Sequence, residues 1–358
     1  MNAPLSFEPS PRLAPARSPR SGFQSGRLLV IDPKNARFSD HGIAELPRFL
    51  HRQDLLVLND AATLPASLWA EPALELRLVA AEDDGSFWAI SFGSGDWRVR
   101  TEARGTPRSL RSGEFLRFSA ELGATILERD AREPRLVRLR FSLTGAALYQ
   151  ALYAAGRPIQ YAYLERPLAL WDVQNGYAAR PVAFEPPSAG RPLTFATLFE
   201  LERSGVTLTR VTHAAGISSS GSGSLDARLP LPERYEIGAD ASAALARTQK
   251  AGGRVIAAGT SVVRALEGAV AAHGALRAGT NVTDLLLSAQ TRPRVVDGLL
   301  TGLHDAETSH FALMEAFAPR ALLLRALAHA ARSGYVQHEF GDSCLVLADA
   351  LGSLDPPV

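Results

Sequence analysis

The sequence predicts an α/β protein: a larger α/β domain with a small antiparallel β-barrel inserted into it. Three observations predict this class. RLLVID and DLLVLND near the start read as buried strands, and GGRVIAAGTSVVRALEG from Gly252 reads as strand, Gly-Thr-Ser turn and helix. From about residue 67, short alternating or apolar segments follow one another closely. Strand and helix signals return beyond that block, which marks it as an insertion. The expected division is a flexible lead-in over 1–22, the α/β domain over 23–66 and 154–358, and the barrel over 67–153.

The lead-in, MNAPLSFEPSPRLAPARSPRSG, is rich in Pro, Ser and Arg. It lacks the continuous apolar stretch of a secretory signal and the amphipathic period of a transit peptide. RLLVID (27–32) and DLLVLND (54–60) are strands, the second nearly continuous in apolar residues, as a strand covered on both faces requires. IAELPRFL (43–50) is a short helix candidate between them. The barrel strands are LELRLVAAE (74–82), FWAISF (87–92), WRVRTEA (97–103), EFLRFS (114–119), ATILER (124–129) and LVRLRFSL (136–143). The turn signals DDGS, GSGD, RSGE and REP separate them.

Past Gly156, Pro- and Gly-rich loops lead to a helix at 197–204 and a strand, VTLTRVTHA. GISSSGSGSLDARLPLP, from Gly216, has the composition of a flexible loop. ADASAALARTQKAGG is a helix closed by Gly252 and Gly253. After the strand–turn–helix unit come strands near 284–288 and 295–301, then a helical region over 308–333 that Pro319 divides.

Composition excludes some classes. The 358 residues are 46% hydrophobic, enough for a packed core, and no apolar run approaches the ~20 residues of a membrane span. The net charge of +1 gives no overall basic field. Lys34 and Lys250 are the only lysines among 38 basic residues, a bias that GC-rich coding explains. Cys344 is the only cysteine, which excludes an intrachain disulfide and a cysteine-cluster metal site, and a cytoplasmic location is expected.

Several residues carry chemistry, each with a structural reading beside the functional one. The turn at Gly259 offers a helix N-terminus with the Thr260 and Ser261 hydroxyls, suited either to capping or to an anionic group. Arg264 and Glu267, three apart, read as an exposed helical pair away from the apolar face. His304 follows an apolar strand and precedes a helix, where ligands collect in α/β sheets. It is a surface residue or an acid–base group titrating near neutrality. Glu307, Thr308 and Ser309 stand beside it at a helix start, and His310 follows. His213 ends another strand. His213, His304 and His310 lack metal-ligand spacing, so no metal is expected. Asp342, in a Gly-Asp turn, and Asn59-Asp60, at the end of DLLVLND, are turn-stabilising or site residues. Trp171 and Tyr177 pack or stack on a base.

Taken in order, these segments resemble the S-adenosylmethionine:tRNA ribosyltransferase-isomerase family of queuosine biosynthesis. The resemblance runs from SGRLLVID and DLLVLNDAATLPASL through GRPIQYAY and PPSAG, and is strongest in RVIAAGTSVVRALE. VVDGLLTGLHDAETS resembles the family's strand–Thr-Asn-Phe-His–Leu-Pro–Glu-Ser-Thr segment, and HEFGDSCLV its Tyr-Gly-Asp-Ala motif. It implies an α/β domain with an inserted β-barrel, and a monomer is expected. It also implies transfer and isomerisation of the ribosyl part of S-adenosylmethionine onto a 7-aminomethyl-7-deazaguanine base in a tRNA anticodon loop. Epoxyqueuosine forms, with release of adenine and methionine. S-adenosylmethionine is the co-substrate. The resemblance assigns acid–base work to His304, with His213 and Asp342 as further catalytic candidates. Asn59, Asp60, Ser188, Ala189, Gly190, Gly259, Thr260, Ser261, Arg264, Glu307, Thr308 and Ser309 are the implied substrate contacts.

The chain departs from the family pattern at defined places. Two arginines of the Asn-x-Thr-Arg-Val-Ile-Pro-Ala-Arg segment become Ala62 and Ser67, and a histidine of Pro-Thr-Ala-Gly-Leu-His-Phe becomes Thr194. His213 stands one position early, Leu231 replaces the histidine of His-x-Glu-x-Tyr while Glu233 and Tyr235 remain, and Gly302 replaces Asn before His304. These changes leave two alternatives: an enzyme of the same fold with a different acceptor, or a non-catalytic RNA- or nucleotide-binding paralogue.

Overall fold

The computed structural model describes residues 12–20, 26–70 and 73–351. The parts of the expected lead-in at 1–11 and 21–22 lie outside the described residues. Along the chain the strands begin with β1 (Ala14–Pro15), β2 (Arg27–Asp32), β3 (Arg37–Gly42), β4 (Leu55–Asn59), β5 (Ala61–Thr63), β6 (Ser67–Ala70), β7 (Leu74–Ala81) and β8 (Phe87–Phe92). Next come β9 (Phe115–Arg117), β10 (Gly123–Arg129), β11 (Leu136–Phe141) and helix α1 (Gly145–Ala155). Then follow β12 (Arg180–Ala183), α2 (Phe195–Arg203), β13 (Thr207–His213), α3 (Gly223–Asp226), β14 (Glu233–Ile237), α4 (Ala239–Lys250), β15 (Val255–Ala258) and α5 (Thr260–His273). The chain continues through β16 (Gly279–Thr283), β17 (Gly298–Gly302), α6 (Ser309–Met314), α7 (Arg320–Arg332), β18 (Val336–Gln337) and β19 (Ser343–Leu347).

A 9-stranded sheet, in the order β16-β14-β13-β4-β15-β17-β19-β2-β3, forms the larger domain. β13, β4, β15 and β17 run parallel at its centre, and β19 runs antiparallel to β17. Alternate residues of one strand serve two cores. Leu55 and Val57 of β4 pack with α4, α5 and α7, while Leu56 and Leu58 pack with α2 and the short 3-10 turn at Ile43–Arg48. That double burial is why DLLVLND is apolar almost throughout.

The inserted block is a 6-stranded antiparallel sheet, in the order β6-β7-β8-β11-β10-β9, closed around its own core of Leu68, Leu76, Leu78, Ala89, Ile126, Val137 and Leu139. The fold class is the one expected from the sequence.

Particular elements differ from expectation. WRVRTEA is a turn ending in the 3-10 segment Thr101–Ala103, because Asp96 accepts the Arg98 N–H at 2.9 Å and bends the chain there. The strand expected near 284–288 lies instead at β16. That is a polar edge strand with one flank in solvent, so it carries no apolar period. IAELPRFL forms only a 3-10 turn, with Pro47 inside it. α1 begins inside the block expected as the barrel, after its last expected strand; its Leu148, Ala151 and Leu152 pack into the barrel core. The lead-in over 12–20 is not loose. β1 pairs with β18, Leu13 is buried in the main core, and Gln337 Nε2 donates to the Leu13 carbonyl at 3.0 Å.

Candidate functional site

Parallel strands deliver their C-terminal ends to one edge of the sheet, and an antiparallel neighbour delivers its N-terminal end there. Asn59, His213, Gly259 and Gly302 therefore share an edge with Ser343, which pairs with Gly302. The chain leaves β4 to build β13 on one side and returns to build β15 on the other. Such a reversal opens a crevice at the strand end.

Asn59 organises the crevice. Its Nδ2 donates to the His213 carbonyl at 3.0 Å and to Ser261 Oγ at 3.2 Å, and its Oδ1 accepts the N–H groups of His213 and Ala61. Ser261 is therefore held from β4. Gly259 is the N-cap residue of α5, with φ of 110° and no side-chain cap, so neither Thr260 nor Ser261 caps the helix. A Cβ on Gly259 would sit 3.3 Å from Ala189 Cβ, which places the turn Ser188–Gly190 directly against the start of α5. Gly190 itself lies so close to the Tyr177 hydroxyl that no side chain fits. Asp60 accepts the Thr212 hydroxyl at 2.6 Å beside this turn.

Arg264 and Glu267 are both buried, so the exposed helical pair is corrected. α5 packs on the sheet, against its end strands β14 and β16 and the segment through Val296, and has no solvent face along most of its length. Arg264 forms an ion pair with Glu233 of β14 and donates to the Leu285 carbonyl at 3.2 Å. Glu267 accepts the N–H groups of Arg294, Val295 and Val296 at 2.8 to 2.9 Å, capping the approach to β17. His213 Nε2 lies 3.4 Å from Glu233 Oε2, yet neither ring nitrogen makes a hydrogen bond among the described residues. Burial, with the Arg264 charge adding to it, holds His213 down to about 3 and His310 down to about 4.

His304 stacks on His310 with ring centroids 4.8 Å apart, and its Nε2 lies 3.0 Å from Thr301 Oγ1. Burial holds it well below the ordinary histidine range, followed by repulsion from His310 and His338. The shift runs away from the near-neutral titration expected of a loop histidine, and the half-buried ring lies beside Leu29, Ile31 and Phe311. Thr308 caps α6 by accepting the Phe311 N–H at 3.2 Å, and Glu307, Thr308 and Ser309 form an exposed rim. Asp342 is buried and holds three fold contacts: Arg20 at 2.5 Å, and the backbone N–H groups of Arg27 and Val336 at 2.9 Å each. It ties β2 and β18 to the turn before β19, the turn-stabilising role. Tyr177 packs in the core, whereas Trp171 is 79% exposed.

Beside this edge stands a cluster that sequence reasoning missed. Tyr161 donates its hydroxyl hydrogen to Glu185, and Tyr163 donates to Glu339. The two phenol rings stack at 6.1 Å, and His338 stacks on Tyr163 at 4.2 Å. Burial pushes the Glu185 carboxyl up to about 7, with the Glu339 carboxylate adding to it against the hydrogen bonds from Tyr161 and Ser218. Glu185 is bonded through its own N–H to the Ala215 carbonyl, in the loop that follows His213. The available signal was the pair of tyrosines in GRPIQYAY and the glutamate immediately before PPSAG. Among the described residues no group of three or more His, Cys, Asp or Glu gathers to hold a metal ion.

Chemically, the edge offers a backbone turn free of side chains at Gly259, hydroxyls at Thr260 and Ser261, unprotonated imidazoles, and one carboxyl poised near neutrality. Comparison with known proteins places the chain in a family. A model of a family described as queuosine biosynthesis protein matches residues 6–346. The chain is 31% identical over 349 residues to the S-adenosylmethionine:tRNA ribosyltransferase-isomerase of Parvibaculum lavamentivorans, covering 93% of this chain and 94% of that one. The protein of the same name from Acidithiobacillus ferrooxidans is 32% identical over 346 residues, covering 94% and 95%. A crystal structure of S-adenosylmethionine tRNA ribosyltransferase from Thermotoga maritima shares the fold, with a TM-score of 0.52 at 22% identity over 93% of this chain and 96% of that one.

Proposed function

This chain belongs to the queuosine biosynthesis protein family, and we propose that it is an S-adenosylmethionine-dependent transferase-isomerase acting on tRNA. In this reading it moves the ribosyl part of S-adenosylmethionine onto a 7-aminomethyl-7-deazaguanine base, isomerises it to give epoxyqueuosine, and releases adenine and methionine. The observation that carries the reading is the match over 6–346, which spans the strand edge and the Glu185 cluster together.

The geometry supports this reading as follows. The Gly259 turn and the start of α5 receive an anionic or ribose oxygen, since backbone N–H groups and hydroxyls converge there. A sulfonium acidifies the C5′ hydrogens of its nucleoside. The Glu185 carboxylate takes one such proton, becoming the carboxylic acid, and the electron pair stays on C5′ beside sulfur. Glu185 suits this step because its ionisation lies near 7, whereas His213, His304 and His310 are held neutral and far from their ordinary range. Tyr161 positions the carboxyl.

A second reading, a different acceptor on the same chemistry, is favoured by the departures. Thr194 caps α2 where the resemblance places a histidine, accepting the Thr197 N–H at 3.1 Å. Leu231 packs against the apolar cluster of Val79 and Phe92 where another histidine is expected.

The test is incubation with S-adenosylmethionine and tRNA bearing the deazaguanine precursor, followed by nucleoside analysis. Epoxyqueuosine with stoichiometric adenine and methionine is the expected result. Adenine release without epoxyqueuosine moves the protein to the second reading, and a calorimetric titration showing no S-adenosylmethionine binding overturns both.

A further inference from the structure

Away from the strand edge, a cleft of about 720 Å³ opens between the barrel and the segment following α1. Its volume falls in the range of cavities that hold a whole small ligand. Trp69 of β6 and Trp97 of the turn after β8 line it, and both rings keep part of their surface exposed. The Arg104 guanidinium lies 5.6 Å from the Trp69 ring and that of Arg98 5.9 Å from the Trp97 ring.

The floor is Glu75, whose carboxylate is fully committed to partners. Its Oε1 accepts from Ser67 Oγ at 2.7 Å and Arg77 Nε at 2.8 Å, and its Oε2 accepts from Arg104 Nη1 at 2.6 Å. On the wall, Asp96 likewise neutralises Arg98. Arg157 is different: it is exposed on the cleft and makes no side-chain ion pair among the described residues. The cleft therefore presents two indole faces and one uncommitted guanidinium over a floor where one carboxylate meets two guanidinia and a positive charge is left over. Flat aromatic faces with a cation beside them suit an unstacked base carrying a phosphate.

The cleft and the Glu185 cluster share a wall. Arg77 is buried beneath the cleft floor, donates to the Gln160 carbonyl at 3.4 Å, and lies 5.5 Å from the Tyr161 ring that bonds Glu185. Its Nη1 has no hydrogen-bond partner among the described residues. The cleft thus lies next to the Glu185 cluster to which the proton step is assigned above. We propose that this cleft seats an unstacked nucleotide of the RNA acceptor, next to the modified one, with its base against Trp69 and Trp97 and its phosphate on Arg157. The proposal rests on the RNA-acceptor reading above and adds a second contact that selects the acceptor.

The test is a tryptophan-fluorescence titration of the full chain with a synthetic anticodon stem-loop RNA, checked by filter binding. Stacking on Trp97 is expected to quench emission, and Trp88→Phe and Trp171→Phe, both outside the cleft, are expected to retain the quench. Trp97→Leu is expected to remove most of it and to weaken binding about tenfold. Arg157→Ala is expected to weaken binding and to flatten its salt dependence by about one phosphate contact. Arg157 pairs with Ser67 through its backbone, so that variant keeps the fold even if Trp97→Leu does not. Unaltered RNA binding in both variants overturns the proposal while leaving the acceptor reading standing. Loss of S-adenosylmethionine affinity with RNA affinity intact assigns the cleft to the nucleoside and also overturns it. If the unaltered protein binds no RNA, the acceptor reading itself falls, and this proposal with it.

Discussion

Asn59 and His213 exchange two hydrogen bonds at 3.0 Å each, the Asn59 carboxamide donating to the His213 carbonyl and accepting its N–H. The same side chain holds the Ser261 hydroxyl, so one residue joins β4, β13 and α5 where their ends meet. Asn59→Ala strands buried donors and acceptors at the junction and is expected to cost about 3 kcal/mol. Urea unfolding measures the loss. Asn59→Asp restores the acceptor but not the donor and should recover only part of it; full recovery would show that the donated bonds contribute nothing.

At the turn before α5, Gly259 combines φ of 110° with an approach of 3.3 Å between its virtual Cβ and Ala189. Gly259→Ala is expected to destabilise by about 2 kcal/mol through backbone strain alone. It should also displace the Ser188–Gly190 turn and weaken S-adenosylmethionine binding, read by calorimetry. Binding equal to that of the unaltered protein would separate this turn from the ligand.

Glu267 is a structural carboxylate with three backbone donors. Glu267→Ala leaves those N–H groups buried without an acceptor and is expected to cost about 3 kcal/mol. A loss below about 0.5 kcal/mol, as for an exposed helical pair, would contradict the burial seen here.

Acid should destabilise this fold in a defined window. His213 and His310 fall from an ordinary value of 6.5 to about 3 and about 4, so below 6.5 the unfolded chain takes up protons that the folded one refuses. Their contribution is present above 6.5 and is lost as the pH falls toward 4, at up to about 1.4 kcal/mol per pH unit for each ring. Glu185 acts with the opposite sign: raised from 4.5 to about 7, it favours the folded state at low pH and loses that contribution as the pH rises through 7. Thermal midpoints between pH 4 and 7 should therefore fall toward acid with a slope that His310→Gln reduces and Glu185→Gln steepens. A flat profile would contradict the burial of these rings.

In the proposed reaction, Glu185 sets the pH dependence. Exchange of the C5′ hydrogens of S-adenosylmethionine with deuterium, followed by NMR without RNA, should rise with pH and level off above about 7. Glu185→Gln should slow exchange about 100-fold at the plateau, with the fold checked by its unfolding midpoint. Tyr161→Phe should shift the inflection rather than abolish exchange, as a positioning residue would. Exchange that persists unchanged in Glu185→Gln would remove it from the proton step.

Much of this protein is written locally. Continuous apolar strands such as LLVLN, the division of the last helices at Pro319, and the strand–turn–helix unit from Gly252 follow from residue periodicity and turn chemistry. The sequence by itself determined the α/β class, the insertion, and the segments whose ends meet at the sheet edge. It could not assign the environment of single polar residues, because that depends on what lies opposite them in space. Arg264 and Glu267 look exposed by helical spacing and are buried because β14, which precedes α5 in the chain, and β16 with the segment through Val296, which follow it, pack against the helix. Asp342 and Glu185 look alike as carboxylates beside glycine- or proline-rich turns. Tertiary packing gives the first a guanidinium and two N–H groups, while it sets the second in a crowded pocket beside another carboxylate, so one is a staple and the other is left near neutrality.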